Sequence, residues 1–246
     1  QSPFLATALE AAHAAAAVVR RYYQSNLAVT IKADKTPVTE ADVETEKVIR
    51  GIVEARFPGH GFYGEESDAA SGSSGLTWIV DHIDGTVHFL YGLPHYAASI
   101  AVVEGEPDPQ TWTALAGCVV NPASGEVFAA TAGGGAYLGT DAIRVAEPVP
   151  LAEALVATGF AYDSAVRGEQ GRLVAELLPL VRDIRRQGTA SLALSPWDHA
   201  AGALIASEAG AVVKGAGQAR AGRDLILAAH PEVASRLEQT LDRLAT

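Results

Sequence analysis

The sequence contains no methionine and only one cysteine, Cys118, among its 246 residues. A single cysteine excludes an intrachain disulfide, so we expect a reducing, cytoplasmic environment. No apolar run approaches the roughly 18 residues that a membrane span needs, and we expect no membrane association. Basic residues are few, because 18 Lys and Arg face 29 Asp and Glu, for a net charge of −11. This charge argues against direct binding of nucleic acid or anionic lipid and favours a protein that binds cations.

The remaining composition, 48% hydrophobic and 19% charged, is that of a globular chain. Apolar spacing predicts helices over residues 4–23, 39–57, 173–181 and 197–209, and from 231 onward. Runs of β-forming residues predict strands over residues 77–80, 96–103, 115–120, 126–130, 136–138, 155–160, 211–213 and 225–228. Strands dominate the middle, and strands alternate with helices in the second half. This order indicates a layered α/β or α+β architecture, a single domain over 1–246 with lobes of about 1–150 and 151–246.

The most informative segment is residues 78–86, Trp-Ile-Val-Asp-His-Ile-Asp-Gly-Thr. Its apolar strand ends in carboxylates, and strand ends lie at the sheet edge where ligands bind in open α/β folds. Asp81 and Asp84 would repel each other unless a cation lies between them, and oxygen ligands suit Mg²⁺. Gly85 allows a ligand to approach the backbone, and the N–H groups that follow could face an anion. A metal beside an anion-binding turn suits phosphoryl chemistry, although a solvated β-turn would also explain this segment alone.

Three further segments carry carboxylates, and each has a plainer explanation. Residues 64–67, Gly-Glu-Glu-Ser, could form a solvated acidic loop. Asp198 begins a predicted helix and could be its N-cap. Asp42 lies three residues after Thr39, in the spacing of a capping box.

Together and in this order, the four segments resemble the inositol monophosphatase family of metal-dependent sugar phosphatases. The family's early lysine and its Val-Thr-x-x-Asp pattern are similar to Lys32 and residues 38–42, and its Gly-Glu-Glu-Ser matches residues 64–67. Two longer family signatures, Trp-x-x-Asp-Pro-Ile-Asp-Gly-Thr-x-Asn-Phe and Trp-Asp-x-Ala-Ala-Gly-Ala-x-Ile-x-x-Glu-Ala-Gly, resemble residues 78–89 and 197–210. The resemblance covers nearly the whole chain and implies the layered αβαβα sandwich of inositol monophosphatase-like and fructose-1,6-bisphosphatase-like proteins.

The resemblance also implies a role for each matched residue. The metal ligands would be the side chains of Glu65, Asp81, Asp84 and Asp198 and the carbonyl of Ile83. Glu65 and Thr86 would orient and deprotonate the attacking water, with Asp42 as the partner of Thr86. The phosphate or substrate would be bound by Gly85, Thr86, Lys32, Gly188 and Thr189.

The implied activity is that of a lithium-sensitive phosphoric monoester hydrolase with two or three Mg²⁺ ions, or with Mn²⁺. Inositol-1-phosphate is the favoured substrate, hydrolysed by metal-activated water to myo-inositol and phosphate, and the implied assembly is a homodimer. Histidinol phosphate, fructose-1,6-bisphosphate or a nucleotide 3′-phosphate are alternative substrates of the same fold. A different class of alternative is a non-catalytic binding partner in a transcription complex, because some bacterial relatives act in that way.

The sequence departs from the family pattern at three places. His82 replaces the proline of the first signature and His88 replaces its asparagine. Either histidine could be a metal ligand or a pH-sensitive neighbour, and we interpret both as tolerated substitutions. A strand–helix stretch before the Trp-Asp helix, with the acidic residue that contacts the inositol ring, has no counterpart. Together with the absence of methionine, this gap predicts that residues are missing between about Ser191 and Pro196, with a break in the chain there.

Overall fold

The computed structural model describes residues 2–25, 28–32, 37–67, 69–186, 195–222 and 225–244. Its helices are α1 (Pro3–Tyr22), α2 (Glu40–Arg56), α3 (Thr86–Leu90), α4 (Ser164–Leu177), α5 (Pro196–Glu208) and α6 (Pro231–Leu244). Its first strands are β1 (Val29–Ile31), β2 (Pro37–Thr39), β3 (Gly61–Gly64), β4 (Leu76–Asp84), β5 (Ala97–Glu104), β6 (Thr113–Val120), β7 (Val127–Thr131), β8 (Gly135–Leu138) and β9 (Asp141–Ile143). The last strands are β10 (Leu155–Thr158), β11 (Asp183–Arg186), β12 (Val212–Lys214) and β13 (Leu227–Ala229). Among these helices, none combines the length and apolar character needed to cross a membrane.

Seven strands form the main sheet, in the order β3-β4-β5-β6-β7-β8-β9. Strands β3 and β4 are parallel, and each later pair is antiparallel. Neighbouring residues of β4 point to opposite faces, so Trp78 and Val80 enter one core cluster and Ile79 enters another. Both faces of the sheet are therefore covered, which explains why β4 and β5 are continuous apolar runs in the sequence.

Helices cover the two faces. Helices α1 and α2 pack on one face, and α1 presents fully buried alanines, among them Ala8, Ala12 and Ala15. Helix α5 packs on the other face through Ala200 and Ala201. Small side chains let the helices approach the strands closely. This helix–sheet–helix stacking confirms the predicted layered α/β sandwich.

Smaller units make up the second half of the chain. Strands β10 and β11 form a parallel pair, β12 and β13 form an antiparallel pair, and α4 contacts α6. Helix α4 begins well before the predicted residue 173, because Asp163 accepts hydrogen bonds from the N–H groups of Ala165 and Val166 and caps the helix there. The expected break between Ser191 and Pro196 falls on residues 187–194, outside the described part of the chain.

A β-bulge lies near the end of β4. Asp81 pairs with Ser99 and Asp84 pairs with Ala97, so three residue steps on β4 face two on β5. Residues three apart on a regular strand point to opposite faces, but one extra residue restores a common face. The bulge therefore allows Asp81 and Asp84 to project into the same site.

Gly117 on β6 and Gly202 on α5 allow the close contact between these two elements to be tested through protein stability. A Cβ on Gly117 would lie 3.1 Å from the Cα and Cβ of Ala201, whereas a Cβ on Gly202 would meet nothing within 4 Å. We expect Gly117→Ala to lower the free energy of unfolding by about 1–3 kcal/mol, because it forces α5 away from the sheet.

The matched variant Gly202→Ala should raise the free energy of unfolding by about 0.5–1 kcal/mol, since alanine loses less backbone entropy in a helix. Urea denaturation of both variants measures the difference. Equal effects of the two substitutions would contradict the close helix–strand contact.

Candidate metal centre

Three carboxylates meet at one end of the main sheet. Asp81 and Asp84 come from the bulged end of β4, and Asp198 comes from the first turn of α5. One carboxylate oxygen of each lies within 4.8 Å of the others. Asp198 is held by a capping box, in which its Oδ2 accepts the Ser195 N–H at 2.7 Å. The prediction of Asp198 as the N-cap is therefore wrong, because Ser195 is the N-cap and Asp198 is the third residue of the helix. Its capping-box bond and the expected ligand role are compatible.

The pKa values of all three carboxyl groups are raised, chiefly by burial. Burial, followed by the charges of Asp84 and Glu65, raises the pKa of Asp81 well above its ordinary value. Burial and the charge of Asp198 do the same for Asp84. The pKa of Asp198 rises to about 7, chiefly through burial, although its bond from Ser195 opposes the rise. At neutral pH without a counter-charge, this cluster is electrostatically strained.

The donor set fits a hard divalent cation. Asp81 is 2% exposed, and its Oδ1 is buried without a hydrogen-bond partner. Buried polar atoms normally have a partner, and a carboxylate oxygen that lacks one among other carboxylates suits a metal ion. Oxygen ligands of this kind are the ones that Mg²⁺ and Mn²⁺ accept.

Glu65 and Lys32 lie beside these carboxylates. Glu65 follows β3 and forms a second group of possible ligands with Asp81 and His82, again within 4.8 Å. The Nζ of Lys32 lies 3.4 Å from Glu65 Oε1 and also contacts Glu66. Burial lowers the pKa of Lys32, but the two glutamates raise it by more, so its pKa lies above its ordinary value. Lys32 is thus a cation at the border of the acidic cluster.

The turn after β4 has the geometry that its glycine predicts. Gly85 has φ +89°, and a Cβ there would lie 2.9 Å from the carbonyl oxygen of His95. Thr86 starts α3 and its hydroxyl donates to the carbonyl of Ile83 at 3.0 Å. Any side chain at position 85 would be strained in this conformation and would also push against the β5 side of the turn.

Asp42 does not pair with Thr86 as the resemblance implied. Its Oδ2 accepts bonds of 2.6 Å from both the N–H and the hydroxyl of Thr39, which completes the capping box of α2. Its Oδ1 lies 3.3 Å from His82 Nε2. The Thr86 hydroxyl has one proton and donates it to Ile83, so the expected pair is not formed in this structure.

The two unexpected histidines have different surroundings. His88 Nδ1 donates to the carbonyl of His95 at 2.8 Å, and its Nε2 accepts from Arg186 at 2.7 Å. Both nitrogens of His88 are therefore engaged. His82 is fully buried, and neither of its ring nitrogens has a hydrogen-bond partner.

Two predicted site residues lie outside the described part of the chain, and three residues beside the site were not predicted. Gly188 and Thr189 lie outside the described residues. Sequence reasoning missed Glu46 and Glu66, whose carboxylates approach the ring of His82, and Arg186, whose charge lowers the pKa of Asp84. Glu66 belongs to the Gly-Glu-Glu-Ser segment and could have been found there. Glu46 carried no signal beyond its place on an amphipathic helix.

Comparisons with known proteins agree on one family. The model of the inositol monophosphatase family matches residues 1–246. The inositol-1-monophosphatase of Mycobacterium leprae is 39% identical over 246 aligned positions, which cover 88% of this chain and 82% of that protein. The Nus factor SuhB of Pasteurella multocida is 32% identical, covering 86% and 85%. The crystal structure of the extragenic suppressor protein SuhB from Bartonella henselae superposes with a TM-score of 0.90 at 30% identity, covering 98% of this chain and 99% of that one.

The repulsion among the three aspartates predicts a pH-dependent stability. A carboxyl group whose folded pKa exceeds its unfolded pKa stabilises the fold below the unfolded value, and this contribution is lost as pH rises through the folded value. In chelator, the free energy of unfolding should therefore fall as pH rises from about 4 towards 7, the pKa of Asp198. Divalent cations should remove this fall.

The variant Asp84→Asn should be more stable than the parent protein in chelator at pH 7.5, by at least about 1 kcal/mol, because one repelling charge is gone. Added Mg²⁺ should raise its melting temperature less than that of the parent. The exposed Asp141 on β9 offers the matched control Asp141→Asn, which should change neither quantity. An Asp84→Asn variant that is destabilised in chelator would contradict the repulsion.

Proposed function

The chain belongs to the inositol monophosphatase family of phosphatases, and on that premise we propose that it is a Mg²⁺-dependent hydrolase that acts on inositol-1-phosphate. The observation that carries the proposal is the buried, unpartnered oxygen of Asp81 within the cluster of three aspartates. Three carboxylates brought together in this way cost stability until a cation neutralises them. The presence of this cluster supports retained metal chemistry.

The chain's own residues suggest how hydrolysis is organised. Asp81, Asp84, Asp198 and Glu65 would hold the ions, together with the carbonyl of Ile83. Bound divalent ions would lower the pKa of the attacking water and stabilise the leaving alkoxide. The Thr86 hydroxyl donates a hydrogen bond to the carbonyl of Ile83. The hydroxyl oxygen of Thr86 is then free to accept a hydrogen bond from the attacking water and to orient that water. Glu65 would accept the water's proton.

Anion binding is assigned to residues beside the acidic cluster. The N–H groups of Gly85 and Thr86 would face the phosphate, and Gly85 leaves room for it because it has no side chain. Lys32 and Arg186 supply positive charge near the ligands Glu65 and Asp84, which would otherwise repel a phosphate ester. Gly188 and Thr189 keep the substrate-binding role that the resemblance implies.

A binding role in transcription is the second candidate, and the name of the Pasteurella relative, a Nus factor, favours it. The net charge of −11 argues against direct contact with nucleic acid, so such a role would depend on protein contacts. A pull-down together with a phosphatase assay separates the candidates. We also keep the homodimer, the two lobes and the cytoplasmic location as proposals.

A panel of phosphate esters tests the substrate and the metal together. With Mg²⁺, kcat/KM should be highest for inositol-1-phosphate and lower for histidinol phosphate, fructose-1,6-bisphosphate and a nucleotide 3′-phosphate. Excess chelator should reduce turnover to background, Mg²⁺ or Mn²⁺ should restore it, and Li⁺ should inhibit. Turnover that survives the chelator would disprove the metal requirement, and a different best ester would reassign the substrate.

The role of Thr86 gives a more local test. Thr86→Ala should lower kcat by about 100-fold, as expected for a group that positions the reacting water, and should change KM much less. Thr86→Ser keeps the hydroxyl and should retain most of kcat. If Thr86→Ala raised only KM, Thr86 would bind substrate rather than orient water.

A further inference from the structure

We propose that His82 supplies an imidazole nitrogen to the ion held by Glu65 and Asp81, so that this position takes Mn²⁺, Co²⁺ or Zn²⁺ in preference to Mg²⁺. This inference uses the metal cluster of the proposed function but does not depend on the substrate. It replaces the sequence-based interpretation of His82 as a tolerated turn substitution, because the structure buries that side chain completely.

The first observation is the state of the ring. His82 is 0% exposed, and both Nδ1 and Nε2 lack hydrogen-bond partners. Polar atoms left unpaired inside a protein lose their hydrogen bonds to water without replacement, which is unfavourable. Neutral imidazole exposes a lone pair on one nitrogen, and a metal ion satisfies that lone pair fully.

The second observation is the spacing of the donor atoms around the His82 ring. Glu65, Asp81 and His82 each offer one donor atom, and these atoms lie within 4.8 Å of one another. Asp42 Oδ1 and Glu66 Oε1 lie 3.3 and 3.7 Å from Nε2. These separations exceed the usual N–H···O distance of about 2.9–3.0 Å. Neither carboxylate is therefore hydrogen-bonded to Nε2, which leaves the ring available to an ion held by Glu65 and Asp81.

The third observation concerns the other ring nitrogen. Nδ1 faces Oε2 of Glu46 on α2, 3.7 Å away. A histidine that binds a metal through one nitrogen generally directs the other N–H towards a carboxylate, which selects the tautomer and orients the ring. Glu46 is in place for that task, and it also accepts the N–H of Glu66 at 2.9 Å. This links α2 to the segment that carries Glu65.

The donor chemistry then sets the metal preference. Mg²⁺ prefers oxygen ligands and keeps its waters, whereas Mn²⁺, Co²⁺ and Zn²⁺ accept imidazole. The affinity of a given site is generally higher for Co²⁺ than for Mn²⁺. Asp81 belongs both to the group with His82 and to the group with Asp84 and Asp198. It would bridge a nitrogen-containing position and an all-oxygen position. The proline of the family pattern offers no donor at residue 82, so the preference would distinguish this chain.

Electron spin-echo envelope modulation of Mn²⁺ tests the proposal without measuring turnover. One equivalent of Mn²⁺ added to the metal-free protein should show the modulation of a directly coordinated imidazole ¹⁴N. The modulation should vanish in both His82→Pro and His82→Gln. It should persist in His88→Asn, the matched control, because both nitrogens of His88 are already hydrogen-bonded. Calorimetric titration should show the Mn²⁺ affinity falling about tenfold or more in the His82 variants, with a smaller change for Mg²⁺.

Absence of ¹⁴N modulation in the parent protein, with Mn²⁺ bound, would overturn the proposal and leave His82 as an ion-pair partner of Asp42. Unchanged Mn²⁺ affinity in folded His82→Gln would also overturn it. Thermal melting establishes that each variant is folded. Two chemically different substitutions, His82→Pro and His82→Gln, keep the test valid if one of the variants does not fold. Hydrolysis of inositol-1-phosphate is assayed separately, so failure of the proposed function and failure of this inference give different results.

Discussion

Mutual repulsion among the carboxylates of Asp81, Asp84 and Asp198 is the constraint on which the rest of the structure depends. Each group is at least partly buried and burial raises all three pKa values, while the charges of Asp84 and Asp198 raise the pKa of Asp81 further, so three ionised carboxylates without a counter-charge are unfavourable at neutral pH. A bound cation would remove this cost, so the proposed metal site would tie the stability of the fold to its occupancy.

The scaffold must withstand this repulsion, and it does so through close packing. β4 lies in the interior of the main sheet with helices on both faces, and its backbone pairs with strands on each side. Asp198 is fixed by its bond from Ser195, and α5 lies against β6 where Gly117 meets Ala201. Helix α5 and the main sheet cannot move apart without opening a core of buried aliphatic and aromatic side chains. The carboxylates are held together by apolar packing elsewhere.

The central strands of the main sheet could be predicted because burial on both faces makes them continuous apolar runs. The candidate ligands Asp81 and Asp84 could be predicted because they follow such a run directly. The short strand β3 could not, since its glycines resemble a loop. The capping box between Thr39 and Asp42 could be predicted from local spacing and is confirmed, whereas the family resemblance implied a pair between Asp42 and Thr86 that the structure does not form. The surroundings of His82 arise from contacts with α2 that no local pattern encodes. The spacing of residues in the sequence thus indicates which side chains can bind a metal, but it does not indicate which distant side chains contact them in the fold.

The bulge in β4 determines how the strand would respond to the loss of one codon. Three residue steps lead from Asp81 to Asp84, where the paired strand β5 takes two. Deletion of one codon inside this interval would leave the two aspartates two positions apart, which is the spacing of a common face on a regular strand. The same deletion earlier in β4 would turn every side chain between it and the strand start to the opposite face, and would exchange the apolar layers on the two sides of the sheet. The bulge is therefore a segment where the gene can lose a triplet and still direct both carboxylates to one side of the sheet.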